Sequence, residues 1–270
     1  MANQPTVLFV SHGGGPLPLL GDASHQELVD GLAALADELE RPSAVLVVSA
    51  HWESRVARIT AAKTTSLLYD YYGFPDASYR IQYPCPGAPE LAEDVQRCLA
   101  DAQLPAELDT ERGLDHGVFV PLKLLFPQAD VPCLQVSLIQ SLDPGAHLAM
   151  GRALRQLRHE RLLILGSGFS FHNLQAFFAP ATAQVEAMNQ AFEAWLQDTC
   201  CNPRLTGEER IDRLRHWTGA PYARFCHPRE EHLLPLHVCM GAVEGVACPE
   251  PRTLRILNKQ ASLFLWPGGH

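Results

Sequence analysis

The sequence predicts an α/β fold, a single domain with a central mainly parallel or mixed sheet flanked by helices and a ligand crevice at the carboxyl ends of its strands. Three observations carry this. Val/Ile/Leu-rich runs without clean alternation occur at 6–10, 43–49, 133–139 and 161–165, the pattern of strands buried on both faces. Helical patterns separate or follow them, at 25–40, 89–102, 143–160 and 183–200. Three of the runs close in polar or glycine-containing segments, where a parallel sheet gathers its ligands: Ser11-His12-Gly13-Gly14-Gly15-Pro16, Ser49-Ala50-His51-Trp52-Glu53 and Gly166-Ser167-Gly168-Phe169-Ser170-Phe171-His172-Asn173.

Element boundaries follow from local chemistry. Ser24 with Glu27 has the spacing of a capping box for the first helix, Asp143 before Pro144 reads as N-cap and first helical residue, and Thr206 with Glu209 opens a later helix. Between 64 and 89 lie Tyr69, Tyr71, Tyr72, Phe74, Tyr79 and Tyr83 with four prolines and no sustained period; a connector this long is expected to be a functional loop or lid. No repeat or composition break divides the chain, so 1–270 reads as one domain.

Thirty acidic against 21 basic residues give a formal charge of −9. The average field repels phosphate backbones and anionic headgroups, so neither nucleic acid nor a membrane surface is an expected partner. An anionic small substrate needs a local cationic site, and a bound metal is one. The first ten residues lack the basic flank of a signal peptide, and the apolar runs fall short of a membrane span, which points to the cytoplasm. Eight cysteines without a CxxC pair read as reduced, mostly buried thiols. Nothing in the chain specifies an assembly beyond a monomer or small homo-oligomer.

His12 and His51 end two strands, and two imidazoles converging on one crevice are half of a transition-metal site. Each alone is equally explained as a hydrogen-bonded structural residue. A further ligand is available from the segment 227–237, in which spacing alone does not choose among His227, His232 and His237 and the HExxH pattern is absent. Gly113-Leu114-Asp115-His116-Gly117 is a glycine-flanked turn that reads equally as a surface loop or as an arrangement in which Asp115 orients His116. His25, His147, His159, His216 and His270 fall on helices or the terminus and are expected to be solvated. Leu165 two before Ser167 breaks the G-x-S-x-G nucleophile elbow, and Phe171 breaks the dinucleotide fingerprint.

Seven ordered motifs then carry a resemblance: SHGGGP (11–16), VVSAHWE (47–53), YDYYGFP (69–75), YPCPGAPELA (83–92), GLDHG (113–117), GSGFSFHN (166–173) and EHLLPL (231–236). From Leu8 to about Gly245 the chain resembles the class III extradiol ring-cleaving dioxygenases, in the DOPA dioxygenase-type branch similar to the β subunit of protocatechuate 4,5-dioxygenase. The resemblance implies metal ligands at His12, His51 and His232, an acid/base histidine at His172, and a further active-site histidine at His116. Gly14-Gly15 stands where many relatives carry Ser-Pro, a departure that bears on substrate contacts at Gly14 and leaves ligation as it is. The rings of Tyr72, Phe74 and Tyr79 are expected to wall the pocket by stacking.

The resemblance implies an iron(II)-dependent enzyme that cleaves a catechol, DOPA-like or related, with O2 to a muconic semialdehyde-type product. Three neutral imidazoles leave the metal its full charge to attract a catecholate. A base is then needed for the second hydroxyl proton, a task suited to an imidazole such as His172. Zinc(II), which imidazole sites also bind, lacks the redox change. Two other classes fit the same residues: a zinc hydrolase using the three histidines to activate water, and a non-enzymatic interaction module on this fold.

Overall fold

The computed structural model describes residues 4–269; His270 and the first three residues lie outside them. The chain runs β1 (Thr6–Ser11), α1 (Gln26–Glu38), β2 (Ala44–Ser54), β3 (Ala57–Thr60), α2 (Pro89–Asp101), β4 (Ala106–Asp109), α3 (His116–Leu125), β5 (Cys133–Ile139), α4 (Pro144–Leu154), β6 (Leu162–Gly168), α5 (Leu174–Phe178), α6 (Ala183–Cys201), α7 (Gly207–Arg215), α8 (Ala223–Cys226), α9 (Leu234–Ala242), β7 (Pro251–Ile256) and β8 (Lys259–Trp266).

One mixed sheet orders its strands β4-β3-β5-β2-β6-β1-β8-β7. The four expected strands form its parallel centre, β5-β2-β6-β1, and every one of their core residues from Val7 to Val10 and from Val45 to Val48 is sealed from solvent. Helices cover both faces, α1 and α3 on one and α4 with α9 on the other. Parallel pairing without hairpins demands such helical crossovers, and the all-apolar strands demand cover on both sides.

Register sets the site. Ser11 pairs with Gly168 and Ser49 with Ser167, so β1 and β6 end at one level, where β2 leaves β6 and runs on beside β5 to Ser54. The ladder between β2 and β5 shifts between Val48 and Glu53, an irregularity that contains His51. On the face of β6 toward α9, a Cβ at Gly166 would meet the Pro235 carbonyl at 2.6 Å, and one at Gly168 would meet the His232 carbonyl at 2.1 Å. Only glycine admits the backbone of 232–235 against the sheet there.

Several expectations are corrected. Ser24 does not cap α1; Asp22 caps a 3-10 turn ahead of it by accepting from the Ser24 amide, and Glu27 instead accepts from the Arg255 amide. The helix expected over 143–160 stops at Leu154. The GLDHG segment is not only a turn, for Asp115 is the N-cap residue of α3 and His116 its first residue. His25 and His147 are fully buried: His25 pairs with Asp22 and accepts from the Gly14 amide, while His147 bridges the Ile139 amide and the Asp143 carbonyl. Asp143 and Thr206 do cap their helices, the latter with the full reciprocal box. All eight cysteines are free thiols, six of them buried. No helix among the described residues is long and apolar enough to cross a membrane.

Candidate metal centre and its pocket

The carboxyl ends of β1, β2 and β6 open into a pocket of about 370 Å³ whose floor holds His12, His51, His116, His172 and His232. His12 follows β1, His51 lies within β2 at the ladder shift and not at the strand end expected from the sequence, and His232 arrives on the segment seated against Gly168, where the Phe169 amide donates to the His232 carbonyl. His227 and His237 lie apart. His227 donates through Nε2 to the Ser170 carbonyl, and both nitrogens of His237 face main-chain carbonyls of Leu233 and Leu214.

His12 and His232 are anchored by hydrogen bonds through Nδ1, and His51 turns its Nδ1 toward a carboxylate. The Ser167 hydroxyl donates to the Gly117 carbonyl, so it accepts from His12 Nδ1–H at 3.0 Å, and the proton is thereby kept off His12 Nε2. Glu231 Oε1 lies 2.9 Å from His232 Nδ1, and Asp70 Oδ2 lies 3.6 Å from His51 Nδ1. The inward atoms are therefore Nε2 lone pairs, and those of His12 and His51 face each other at 3.0 Å. Two lone pairs at that distance repel unless a cation lies between them. Metal–nitrogen bonds of about 2.1 Å at a right angle place two nitrogens about 3.0 Å apart.

Burial pushes the pKa of His12 and His51 well below the ordinary value, with the neighbouring histidines adding to it, and burial with His172 pushes His232 down to about 3. All three are neutral at pH 7, the form a metal requires. Glu231 is opposed by burial, yet its hydrogen bonds with His172 and His232 win and keep it ionised; Asp70 is kept ionised in the same way by His116.

Closely spaced ligand atoms group His12 and His51 with His116, and His232 with His172 and Glu231, so His116 competes with His232 as the third ligand. Ring geometry separates them. Imidazoles bonded to one ion at about 2.1 Å, at angles between 90° and tetrahedral, have centroids roughly 4.5–5.3 Å apart. His51 lies 4.9 Å from both His12 and His232, inside that range, and His12–His232 at 5.5 Å lies just beyond it; His116 is 5.4 Å from His12 but packed at 3.9 Å from His51, too close for two rings bonded to one ion. His172 stacks flat on His232, 3.4 Å between centroids and 13° between planes, so the two rings cannot both point at one ion.

The expected partner of His116, Asp115, is replaced in the structure by Asp70, whose Oδ1 receives both the backbone amide and Nδ1 of His116 at 3.0 and 2.8 Å. Asp115 instead accepts from Ser49 and Gln135, and burial raises its pKa. Phe74 and Gly14 line the pocket. Tyr72 does not: it is 92% exposed, and Tyr71 takes the wall position beside Phe74. Tyr79 packs behind, on Tyr69 and Tyr71. Residues that sequence reasoning missed are Asp70, Ser167, Glu231, Tyr71 and the apolar rim on α5. Asp70 had a visible signal, an acid inside the aromatic YDYYGFP motif; the rim had none.

A buried histidine cluster backed by two carboxylates, beside the strand ends of a mixed α/β sheet and under an apolar pocket, is a candidate metal centre of an enzyme. The family model described as the catalytic LigB subunit of aromatic ring-opening dioxygenase matches residues 6–257. The chain belongs to this family and is an extradiol ring-opening dioxygenase by class. It is 40% identical over 282 residues to a dioxygenase named tasH of Hapsidospora irregularis, covering 97% of this chain and 85% of that one. It is 35% identical to a 4,5-DOPA dioxygenase extradiol of Beta vulgaris, covering 89% and 87%. The crystal structure of an uncharacterized protein from Escherichia coli K12 superposes with a TM-score of 0.71 at 29% identity, covering 96% of this chain and 99% of the other.

Proposed function

We propose that this chain is an iron(II) enzyme that opens the ring of a catechol beside its diol with O2, giving a muconic semialdehyde-type product, with His12, His51 and His232 as the metal ligands. The observation that supports it most is the pair His12 and His51 with Nε2 atoms facing each other at 3.0 Å, beside His232, whose Nδ1 is held by Glu231 and whose ring lies 4.9 Å from that of His51. Iron(II) held there supplies the redox change and the open coordination positions that the reaction needs, and zinc, which the same imidazoles bind, supplies only the charge. The free thiols fit a reducing compartment, the cytoplasm.

His172 is the acid/base residue in this reading. Glu231 Oε1 sits 3.4 Å from its Nδ1 and favours the proton there, leaving Nε2 to accept the second catechol hydroxyl proton and later return it. His116, fixed by Asp70, faces the same pocket and orients the substrate oxygens by hydrogen bonding. Tyr71, Phe74 and Phe169 confine the ring and exclude water, while Gly14 gives it close backbone approach.

The test is anaerobic reconstitution with iron(II), then a catechol panel, reading oxygen uptake and a yellow ring-opened product. Oxygen consumption in step with product is expected with iron and none with zinc. Hydrolytic turnover with zinc and no oxygen uptake with iron would replace this reading by a hydrolase.

A further inference from the structure

The pocket above the histidines is lined, beyond them, by glycine, aromatic and aliphatic side chains, and among the described residues that line it there is no Lys, Arg, Asp or Glu. An amino-acid or carboxylate tail would bring a charge into this space with nothing to pair it, which is strongly disfavoured. The adjoining groove shares His172 and Leu174 and does contain a cation, Arg229. Its guanidinium is already held on both oxygens of Glu53, at 2.5 and 2.6 Å, and lies near Glu231 as well.

The opposite preference is built in. Leu17, Phe74, Leu174, Phe177, Phe178 and Leu257 form the upper walls. Two of them, Leu174 and Phe178 on α5, stand 57% and 84% exposed at the mouth, although apolar side chains of that size are normally buried. A dry cavity of about 150 Å³ accommodates benzene, so about 370 Å³ leaves room beyond one ring. Leu257 reaches the pocket from the β7–β8 turn, where it and Asn258 adopt positive φ of 50° and 62° and the Leu257 amide donates to the Ser24 carbonyl, so this wall is positioned independently of α5.

We infer that the catechol this enzyme opens carries an uncharged apolar substituent, alkyl or aryl, in place of an amino-acid or carboxylate side chain, and that α5 with Leu257 selects it. The inference rests on the ring-opening reading above. It assigns to this chain a substrate class different from the one named for its DOPA-cleaving relatives.

The experiment compares 4-methyl-, 4-propyl- and 4-butylcatechol with 3-(3,4-dihydroxyphenyl)propanoate and DOPA. Binding to the zinc-loaded protein is measured by calorimetry, and kcat/KM with the iron-loaded protein by oxygen uptake. Each added methylene should tighten binding about fourfold if fully buried, and 4-butylcatechol should exceed the propanoate at least tenfold in both readouts. Leu174→Ser with Phe178→Ser, both at exposed positions, should flatten the methylene increments, with circular dichroism showing an intact fold. Tighter binding and faster turnover of DOPA or the propanoate than of the alkyl series overturns the inference and leaves the ring-opening reading in place. Absence of oxygen uptake with every catechol defeats the ring-opening reading, and the inference with it.

Discussion

Replacing Ser167 by Ala tests the idea that a single hydroxyl fixes the first histidine for ligation. Ser167 and His12 are 0% and 1% exposed, so no bulk solvent substitutes for the lost group. Two partners are stranded, the His12 Nδ1–H and the Gly117 carbonyl. Leaving a buried polar group unpaired costs about 1–3 kcal/mol. A water in the vacated space recovers part of this, so the metal-free protein should lose on the order of 2–3 kcal/mol. At about 2–4 °C per kcal/mol for a chain of this size, that is roughly 4–12 °C in melting temperature. Metal binding should suffer separately, because without the acceptor the proton no longer prefers Nδ1. Losing such a supporting partner typically weakens metal affinity about 10- to 100-fold. Zinc titration against a competing chelator reads the affinity, and thermal unfolding of the metal-free protein reads the stability. An affinity within twofold of the parent would refute the role assigned to the hydroxyl, whatever the stability change.

Three further outcomes are expected. Gly168→Ala places a methyl 2.1 Å from the His232 carbonyl, so the 232–235 segment must lift from β6, and metal content should fall well below one per chain; full occupancy by elemental analysis would show that His232 does not need its seat. His172→Ala should keep its metal and bind catechol yet turn over roughly a hundred- to ten-thousand-fold more slowly, and loss of metal instead would make His172 a ligand. Burial lowers the pKa of His147 from 6.5 to about 4. Below about 6.5 the unfolded chain takes up a proton that the folded ring refuses until about pH 4, so stability falls with pH across that window, by about 1.4 kcal/mol per unit and roughly 3 kcal/mol in all. Urea unfolding at pH 8, 6 and 4.5 should show a shallower slope in His147→Gln, and identical slopes would exclude this ring as a contributor.

The parts of the fold legible in the sequence are those where one physical signal dominates. Strands buried on both faces must be apolar throughout, which exposed β1, β2, β5 and β6, and hydroxyl or carboxyl caps exposed the starts of α4 and α7. Edge strands carry no such signal: β4 is four residues with a polar face, and the β7–β8 hairpin turns on Leu257-Asn258, without the glycine that usually marks such a turn. α3 and α9 are buried all round and carry Pro121 and Pro235, so neither shows a period. At the site, strand-end histidines were visible because topology brings strand ends together. Choosing His232 over His227 and His237 came from family likeness, for what distinguishes them is tertiary: which ring meets a carboxylate and which meets main-chain carbonyls.

With the ligand set proposed above, the docking of 232–235 against two glycines of β6 has a consequence for how the enzyme would acquire its ion. His12 and His51 are made early, but the third nitrogen belongs to a segment near the carboxyl end of the chain. A ribosome-bound nascent chain thus holds no complete chelating set until its last third has emerged and docked. An ion that binds only the finished arrangement favours the native state by mass action, so metal supply and folding yield in a cell become one variable. Starving an expression culture of iron should then leave less soluble protein, and not merely more of the same protein without its metal.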